Sequence, residues 1–314
     1  MSLERFEASA PGKVILFGEH AVVYGKPAIA VPVSEVQAQA TVERQTEGHG
    51  LVINAPDLGQ RFTLEDAPPG DPLLAAVEAT LAHLCASPPD ATITVESTIP
   101  IASGLGSGAA VTTALVRALA GFLDEELDAT TVSALVFEVE KIHHGTPSGI
   151  DNTVVAYEQP VYFVKGEGVE RLTVGAPITL IIGDTGMPSS TGEVVGDVRR
   201  ARERERVRYD LLFEEIGEVS RAARQAIESG DVEALGPLMD RNQELLEEID
   251  VSSEALERLI QEARSAGALG AKLCGAGRGG NMVALVEEDK AREVEVAVRS
   301  AGAVRTIVTT VSAG

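Results

Sequence analysis

Apolar and polar positions change rhythm twice along the chain. In the first hundred residues short apolar runs at Lys13 to Phe17 and Ala28 to Val33 predict strands, and alternation at Gln37 to Glu43 and Thr92 to Thr98 predicts two more, half-exposed. A run of Ala, Leu and Val from Ala109 to Leu123, without proline and with one late glycine, predicts a buried helix. A second helix is expected from about Leu127 to His143. Asp128 or a following threonine would be its N-cap, and Val132, Leu135, Val136 and Val139 fall at helical spacing. Gly145–Thr146–Pro147 ends it, because proline forbids continuation. After an apolar strand at Ile178 to Ile182, a charged helical stretch runs from Glu193 to Ser229, with Gly217 as its expected break. Helices at Asp231 to Ile249 and Ser253 to Ala266 follow. The end alternates strand and helix: Ala271 to Cys274, Met282 to Glu287, Lys290 to Ala301 and Thr306 to Val311. No internal repeat or low-complexity linker is visible. The polar, glycine-bearing stretch Gly166 to Gly175 divides two patterned regions, giving expected domains at 1–168 and 169–314.

Composition narrows this picture. The 314 residues are long for one core and sufficient for two. Aromatics are 4% and Trp is absent, so the cores must rest on Val, Ile, Leu and Ala. No apolar stretch approaches the roughly 18–20 residues of a membrane span, and MSLERFEASAPGKV lacks the apolar region of a signal peptide. Cys85 and Cys274 cannot build a disulfide framework and lie in no metal-ligand spacing. A reduced, cytoplasmic setting is the expectation. The formal charge of −22, from 48 acidic and 26 basic residues, argues against nucleic-acid and anionic-membrane partners. An acidic chain that binds a phosphate must still collect local positive potential. Of its six lysines, Lys13 and Lys272 stand beside glycine-rich segments.

The first of these segments, PIASGLGSGAA from Pro100 to Ala110, puts Gly104, Gly106 and Gly108 directly before the buried helix. Glycines let backbone N–H groups turn toward an anion, and the helix adds its unpaired N–H groups and the positive end of its dipole. An oligophosphate is the natural occupant. The pattern Gly104-x-Gly106-x-x-Ala109 also satisfies a dinucleotide fingerprint. However, the acids 20 positions on, Asp124 to Glu126, close the helix instead of ending a second strand, and no Walker A lysine is present. A ligand-free helix entry is the bland alternative. The second segment, KLCGAGRGG from Lys272 to Gly280, precedes a strand and so has no helix dipole; it reads as a tight hairpin or a ligand-facing turn.

The segment EKIHHGTPSGIDN carries Glu140 and Asp151 on either side of a turn that reverses the chain. Phosphorylation of an alcohol needs two such carboxylates. One holds Mg2+ on the phosphates, and the other accepts or orients the hydroxyl proton. Lys13, at an otherwise apolar strand entry, is a candidate for depressing the base's pKa and neutralising charge on the transferred group. Taken singly, Glu140 reads equally as a solvated helix residue and Asp151 as a turn former. His143 and His144 point apart on a helix and read as structural.

Together APGKVILFGEHAVVYGKPAIA, IPIASGLGSGAA and KLCGAGRGG resemble the GHMP small-molecule kinases. GEHAVVYGK and EKIHHGTPSGIDN resemble, within them, the branch acting on mevalonate. The resemblance implies an α+β fold of two domains, an S5-like N-terminal one and a ferredoxin-like C-terminal one. It implies ATP-dependent phosphorylation of mevalonate at its C5 hydroxyl, with Mg2+, in isoprenoid precursor biosynthesis, and is compatible with a homodimer. By position it makes Asp151 the catalytic base, Lys13 its electrostatic partner and Glu140 the Mg2+ ligand. ATP binding falls to Pro100, Ala102, Ser103, Gly104, Leu105, Gly106, Ser107, Gly108 and Ala109. Substrate binding falls to Glu19, His20, Ser148, Thr191 and the turn Gly275, Ala276, Gly277.

Three departures stand out. Gly108 occupies a position where many relatives have a second serine, leaving Ser107 as the hydroxyl for Mg2+ unless water serves. Ser189 stands where some relatives place arginine, and Arg278 where glycine is usual. A phosphomevalonate or sugar kinase is the competing enzyme reading; a phosphorylated substrate calls for a basic cluster that this lysine-poor chain lacks. A non-catalytic nucleotide-binding protein would not need Lys13, Glu140 and Asp151 together.

Overall fold

The computed structural model describes residues 4–45, 48, 50–100, 104–144 and 147–312, with only the backbone of His143 and His144. In chain order the elements are β1 (Arg5–Phe17), β2 (Ala28–Arg44), β3 (Leu51–Ala55), β4 (Gln60–Thr63), α1 (Pro72–Leu84), β5 (Ala91–Ser97), α2 (Ser107–Phe122), α3 (Ala129–His144), α4 (Ile150–Tyr157), β6 (Val161–Val164), β7 (Gly168–Arg171) and β8 (Ile178–Asp184). There follow α5 (Thr191–Arg204), α6 (Arg206–Ser229), α7 (Val232–Glu248), α8 (Glu254–Ser265), β9 (Gly270–Cys274), β10 (Asn281–Val286), α9 (Ala291–Ser300) and β11 (Arg305–Val311). They form two compact units that share the chain in alternation. One takes residues 1–12, 36–100 and 106–158, the other 13–35, 101–105 and 159–314.

In the first unit β5 pairs antiparallel with the second half of β2 and parallel with β3, which pairs antiparallel with β4. Helix α2 is the core of this unit. Its Ala-, Leu- and Val-rich sequence is apolar nearly all round, and Ala109, Ala110, Leu115, Val116 and Leu119 are fully enclosed by α1, α3, α4 and β5. In the second unit the first residues of β2 pair with β6, which pairs with β7. A separate antiparallel sheet runs in the order β11-β8-β10-β9. Helices α8 and α9 cover it, and α7 packs on β9. That last approach is backbone to backbone. A Cβ at Gly236 would lie 2.2 Å from the Leu269 carbonyl oxygen, and one at Gly270 would lie 2.2 Å from that of Gly236, so only glycine fits at either place.

Three expectations are corrected. The strand expected at Lys13 begins at Arg5; its first residues alternate between exposed and half-buried, a weak pattern interrupted by Pro11. The strands expected at 28–33 and 37–43 are one 17-residue strand. Pro32 is tolerated because it falls between Ala28–Ala30, paired with β6, and Ala38–Arg44, paired with β5. The charged helix is broken at Glu205, where φ is −125° and ψ 51°, not at Gly217. Gly217 lies inside α6, where a Cβ would come within 3.3 Å of Lys26 Cβ and 3.4 Å of Pro27 Cδ. Its glycine serves close packing.

Candidate active site

In the first unit, the chain enters α2 through Gly106, whose φ of +73° is left-handed. The Ala110 N–H bonds back to Gly106 O at 2.9 Å, so the first-turn N–H groups of Ser107, Gly108 and Ala109 are the helix's terminal donors. Gly108 is exposed, and a Cβ there would meet no atom within 4 Å, so open space adjoins the helix N-terminus. Pro100, Gly104 and Leu105 are described; Ala102 and Ser103 lie outside the described residues.

Helices α3 and α4 carry the two acids and pack on α2 and on each other. Glu140 is half-buried near the end of α3. Asp151 is half-buried in the first turn of α4, where the helix dipole favours negative charge. The neighbouring Asn152 anchors that turn, its amide donating to Ser133 O at 3.1 Å and Ser133 Oγ at 2.9 Å. Thr153 Oγ1 donates to Gly149 O at 2.7 Å. Ser148 lies just ahead, with its Oγ accepting from the Ile150 N–H at 3.4 Å. The backbone around Asp151 is therefore held from α3, an anchoring role for Asn152 that the sequence does not announce.

In the second unit, Lys13 is 3% exposed within the buried part of β1, which begins at Ala10, and its N–H donates to Leu105 O at 2.9 Å. Glu19 and His20 follow β1 in a tight turn. Glu19 is 1% exposed; one carboxylate oxygen pairs with Lys272 and the other accepts from Asn242 Nδ2 at 3.4 Å. Lys272 also donates to Leu273 O at 2.6 Å. Burial pushes the Glu19 carboxyl up, while the Lys272 ammonium, with a smaller contribution from Lys13, holds the charged form. Both Glu19 oxygens face partners inside the protein, so the side chain anchors its turn. His20 has φ +60°, and its Nε2–H donates to Ala276 O at 2.9 Å.

The glycine turn itself, residues 275–280, connects β9 to β10 in the hairpin register Cys274↔Asn281. Ser189 Oγ donates to Gly277 O at 2.5 Å, and Gly280 N–H donates to Met187 O at 2.8 Å. Thr191 starts α5 two residues beyond Ser189 and is exposed. The structure thus brings His20, Ala276, Gly277 and the segment leading to Thr191 into one bonded group. Cys274, at the end of β9, accepts from the Ile15 N–H at 3.3 Å, and burial raises its thiol pKa. The ion partner of Glu19 is the feature the sequence most concealed. Its one visible sign was a lysine between Ala271 and Leu273 in a strand otherwise buried and apolar.

Residues 73–159 match the family model described as GHMP kinases N terminal domain, and residues 223–304 match the one described as GHMP kinases C terminal. The chain belongs to the GHMP kinases and has their two-domain fold, built here of mixed α and β elements. Among curated relatives it is 36% identical to the mevalonate kinase of Pyrococcus abyssi, with 94% of this chain and 92% of that one aligned. It is also 36% identical to the mevalonate kinase of Aeropyrum pernix, covering 93% and 92%. Among solved structures, the L. major mevalonate kinase in complex with R-mevalonate superposes with a TM-score of 0.85 at 30% identity, covering 100% of this chain and 99% of that one.

Two expected outcomes follow from the buried group. Lys272→Met should leave a buried carboxylate without its counter-ion and cost about 3–5 kcal/mol. Combining it with Glu19→Leu should recover much of that loss in chemical denaturation, and additive losses would contradict the pairing. Burial holds His20 neutral down to about 4 against an ordinary 6.5. The unfolded chain then binds the extra proton between those values, so stability falls on acidification through that window, by up to about 3 kcal/mol at 1.36 kcal/mol per unit. Thermal unfolding from pH 7 to 4 should show a steeper loss in the natural chain than in His20→Gln; parallel curves would refute it.

Proposed function

We propose that this chain transfers the γ-phosphoryl group of ATP to the C5 hydroxyl of mevalonate, giving 5-phosphomevalonate for isoprenoid precursor biosynthesis. The observation that carries the reading is one packed helical group with an open helix N-terminus at Ser107–Ala109 and a carboxylate, Asp151, at the first turn of α4. Near-full-length similarity to mevalonate kinases, one of them solved with R-mevalonate, supports the choice of alcohol. We keep 1–168 and 169–314 as the sequence domains: the family matches, 73–159 and 223–304, fall one in each, while residues 13–35 and 101–105 group with the second compact unit.

Asp151 accepts the hydroxyl proton, and Lys13 is its electrostatic partner, offsetting charge on the transferred group. ATP binding falls to the loop Pro100, Ala102, Ser103, Gly104, Leu105, Gly106, Ser107, Gly108 and Ala109, with the N-terminal N–H groups of α2 as donors to the phosphates. The donors offered for a metal are hard oxygens, the Glu140 carboxylate and the Ser107 hydroxyl, a set that suits Mg2+. Mg2+ held there would supply positive charge that offsets the charge of the phosphates. Among the described residues no group of three or more His, Cys, Asp or Glu could hold a metal ion. Ser148, Thr191 and the turn Gly275–Ala276–Gly277 line the alcohol, with Glu19 and His20 fixing that turn. Among the described residues no helix is long and apolar enough to cross a membrane; we place the enzyme in the cytoplasm, as a homodimer.

ADP release with Mg2+-ATP, measured against mevalonate, phosphomevalonate, homoserine and galactose, should show turnover of mevalonate alone; no turnover of it sinks the reading. In the same assay Asp151→Asn should lower kcat by about 10²- to 10⁴-fold, with Mg2+-ATP affinity held within about threefold. Near-normal kcat would move the base elsewhere.

A further inference from the structure

Helix α5 opens on Thr191 yet is lightly packed. Of its 14 residues only Val194 and Val198 are buried. Part of its length faces a cavity of about 410 Å³ lined by Asp197, Ala201, Arg204, Glu205, Tyr209 and Arg278. So few apolar contacts cannot fix a helix firmly, and polar tethers must set where it stands. Its C-terminal half has one in Arg202, which donates to Asp210 at 2.6 Å and lies 4.7 Å over the Tyr24 ring.

The N-terminal half is held by Arg278. This residue sits in the glycine turn at φ +60°, where a side chain is uncommon. Its backbone N–H donates to Val251 O at 2.7 Å. Its guanidinium reaches two further segments. Nη1 donates to Asp197 Oδ2 on α5 at 2.5 Å, and Nε and Nη2 both donate to Asp250 O, at 3.2 and 3.1 Å. One planar fork thereby joins the turn, α5 and the α7–α8 connection, a geometry that lysine cannot reproduce. The adjoining glycines let the turn pack closely on the backbone of its neighbours. A Cβ at Gly277 would lie 2.0 Å from Val251 O, and one at Gly279 would lie 2.7 Å from Met187 O. The Arg278–Asp197 pair is about one-third exposed on both sides. Such pairs add little to global stability, so its effect is one of placement.

We propose that Arg278 is a positioning residue that, by gripping Asp197, sets the first turns of α5 and Thr191 relative to the turn Gly275–Gly277, and thereby sets the affinity for the alcohol rather than for ATP. This rests on reading Thr191 and that turn as substrate-facing. It makes Arg278 a tether and not a partner of the substrate carboxylate.

The test uses the full chain with Arg278→Ala, Arg278→Lys, Asp197→Asn and the Arg278→Ala/Asp197→Asn double variant. Arg278→Ala and Asp197→Asn should each raise KM for mevalonate about tenfold. kcat, KM for ATP and Tm should stay close to those of the natural chain. The double variant should be no worse than Arg278→Ala, and Arg278→Lys should recover part of the loss. Hydrogen exchange without substrate should quicken across residues 192–198 in Arg278→Ala. Unchanged exchange there overturns the tether. Faster exchange with KM for mevalonate unmoved, in a chain whose natural form turns mevalonate over, overturns the link to the alcohol. Equal rises in both KM values with a fall in Tm would reduce Arg278 to general stability and also overturn the proposal. A natural chain inactive on mevalonate refutes the functional reading itself, while exchange still judges the tether.

Discussion

The ion pair between Lys272 and Glu19 has almost no contact with water, and the second compact unit is organised around that fact. Removing an ammonium and a carboxylate from water costs several kcal/mol per ion, recovered only if the two stay together with their remaining hydrogen bonds made. The structure meets the condition with Asn242 on one side and the Leu273 carbonyl on the other. The pair therefore fixes the turn after β1 to strand β9 in one arrangement. His20 inherits its place from that turn and passes it to Ala276 through the ring hydrogen bond. Disturbance at Lys272 would reach the glycine turn through covalent geometry and two hydrogen bonds.

The first unit reaches a comparable rigidity by a different route. Its functional groups stand on the ends of three helices whose packing is apolar, and the polar fixing is local: Asn152 to Ser133, Thr153 to Gly149. A largely buried α2 gives its N-terminal N–H groups a fixed direction without any charged residue in its first turn. Orientation comes from dipoles and shape there, and from enclosed charge in the second unit.

Much of this was legible in the residues, and what was not has identifiable causes. Helices α2, α7 and α8 follow their apolar spacing to within a few residues, and the hairpin after Lys272 follows its glycines. The short strands β3, β4, β6 and β7 escaped because four or five residues carry too little pattern to be distinguished from a loop. Pro32 hid the continuity of β2, since a proline ordinarily ends a strand and is tolerated here only by where the pairing changes partner. Gly217 misled in the opposite sense, because glycine marks both helix ends and close contacts, and only the neighbouring Lys26 and Pro27 decide which. Of the candidate site residues, Asp151, Glu140 and Lys13 drew notice in the sequence as charges in apolar or turn-rich surroundings. The links Lys272–Glu19 and Arg278–Asp197 join residues 253 and 81 positions apart, and no local pattern records a partner at that distance.

The two cysteines stand at opposite extremes of access, Cys85 exposed and Cys274 buried at the head of the glycine turn. Thiol chemistry proceeds through the thiolate, and burial at Cys274 suppresses that form as well as shielding it from reagents. The chain thus carries its own pair of clocks. The outer thiol registers how much oxidant or alkylator is present. The inner one can react only when an opening exposes it, so its modification would be a record of the protein's excursions from the folded state and not of the medium around it.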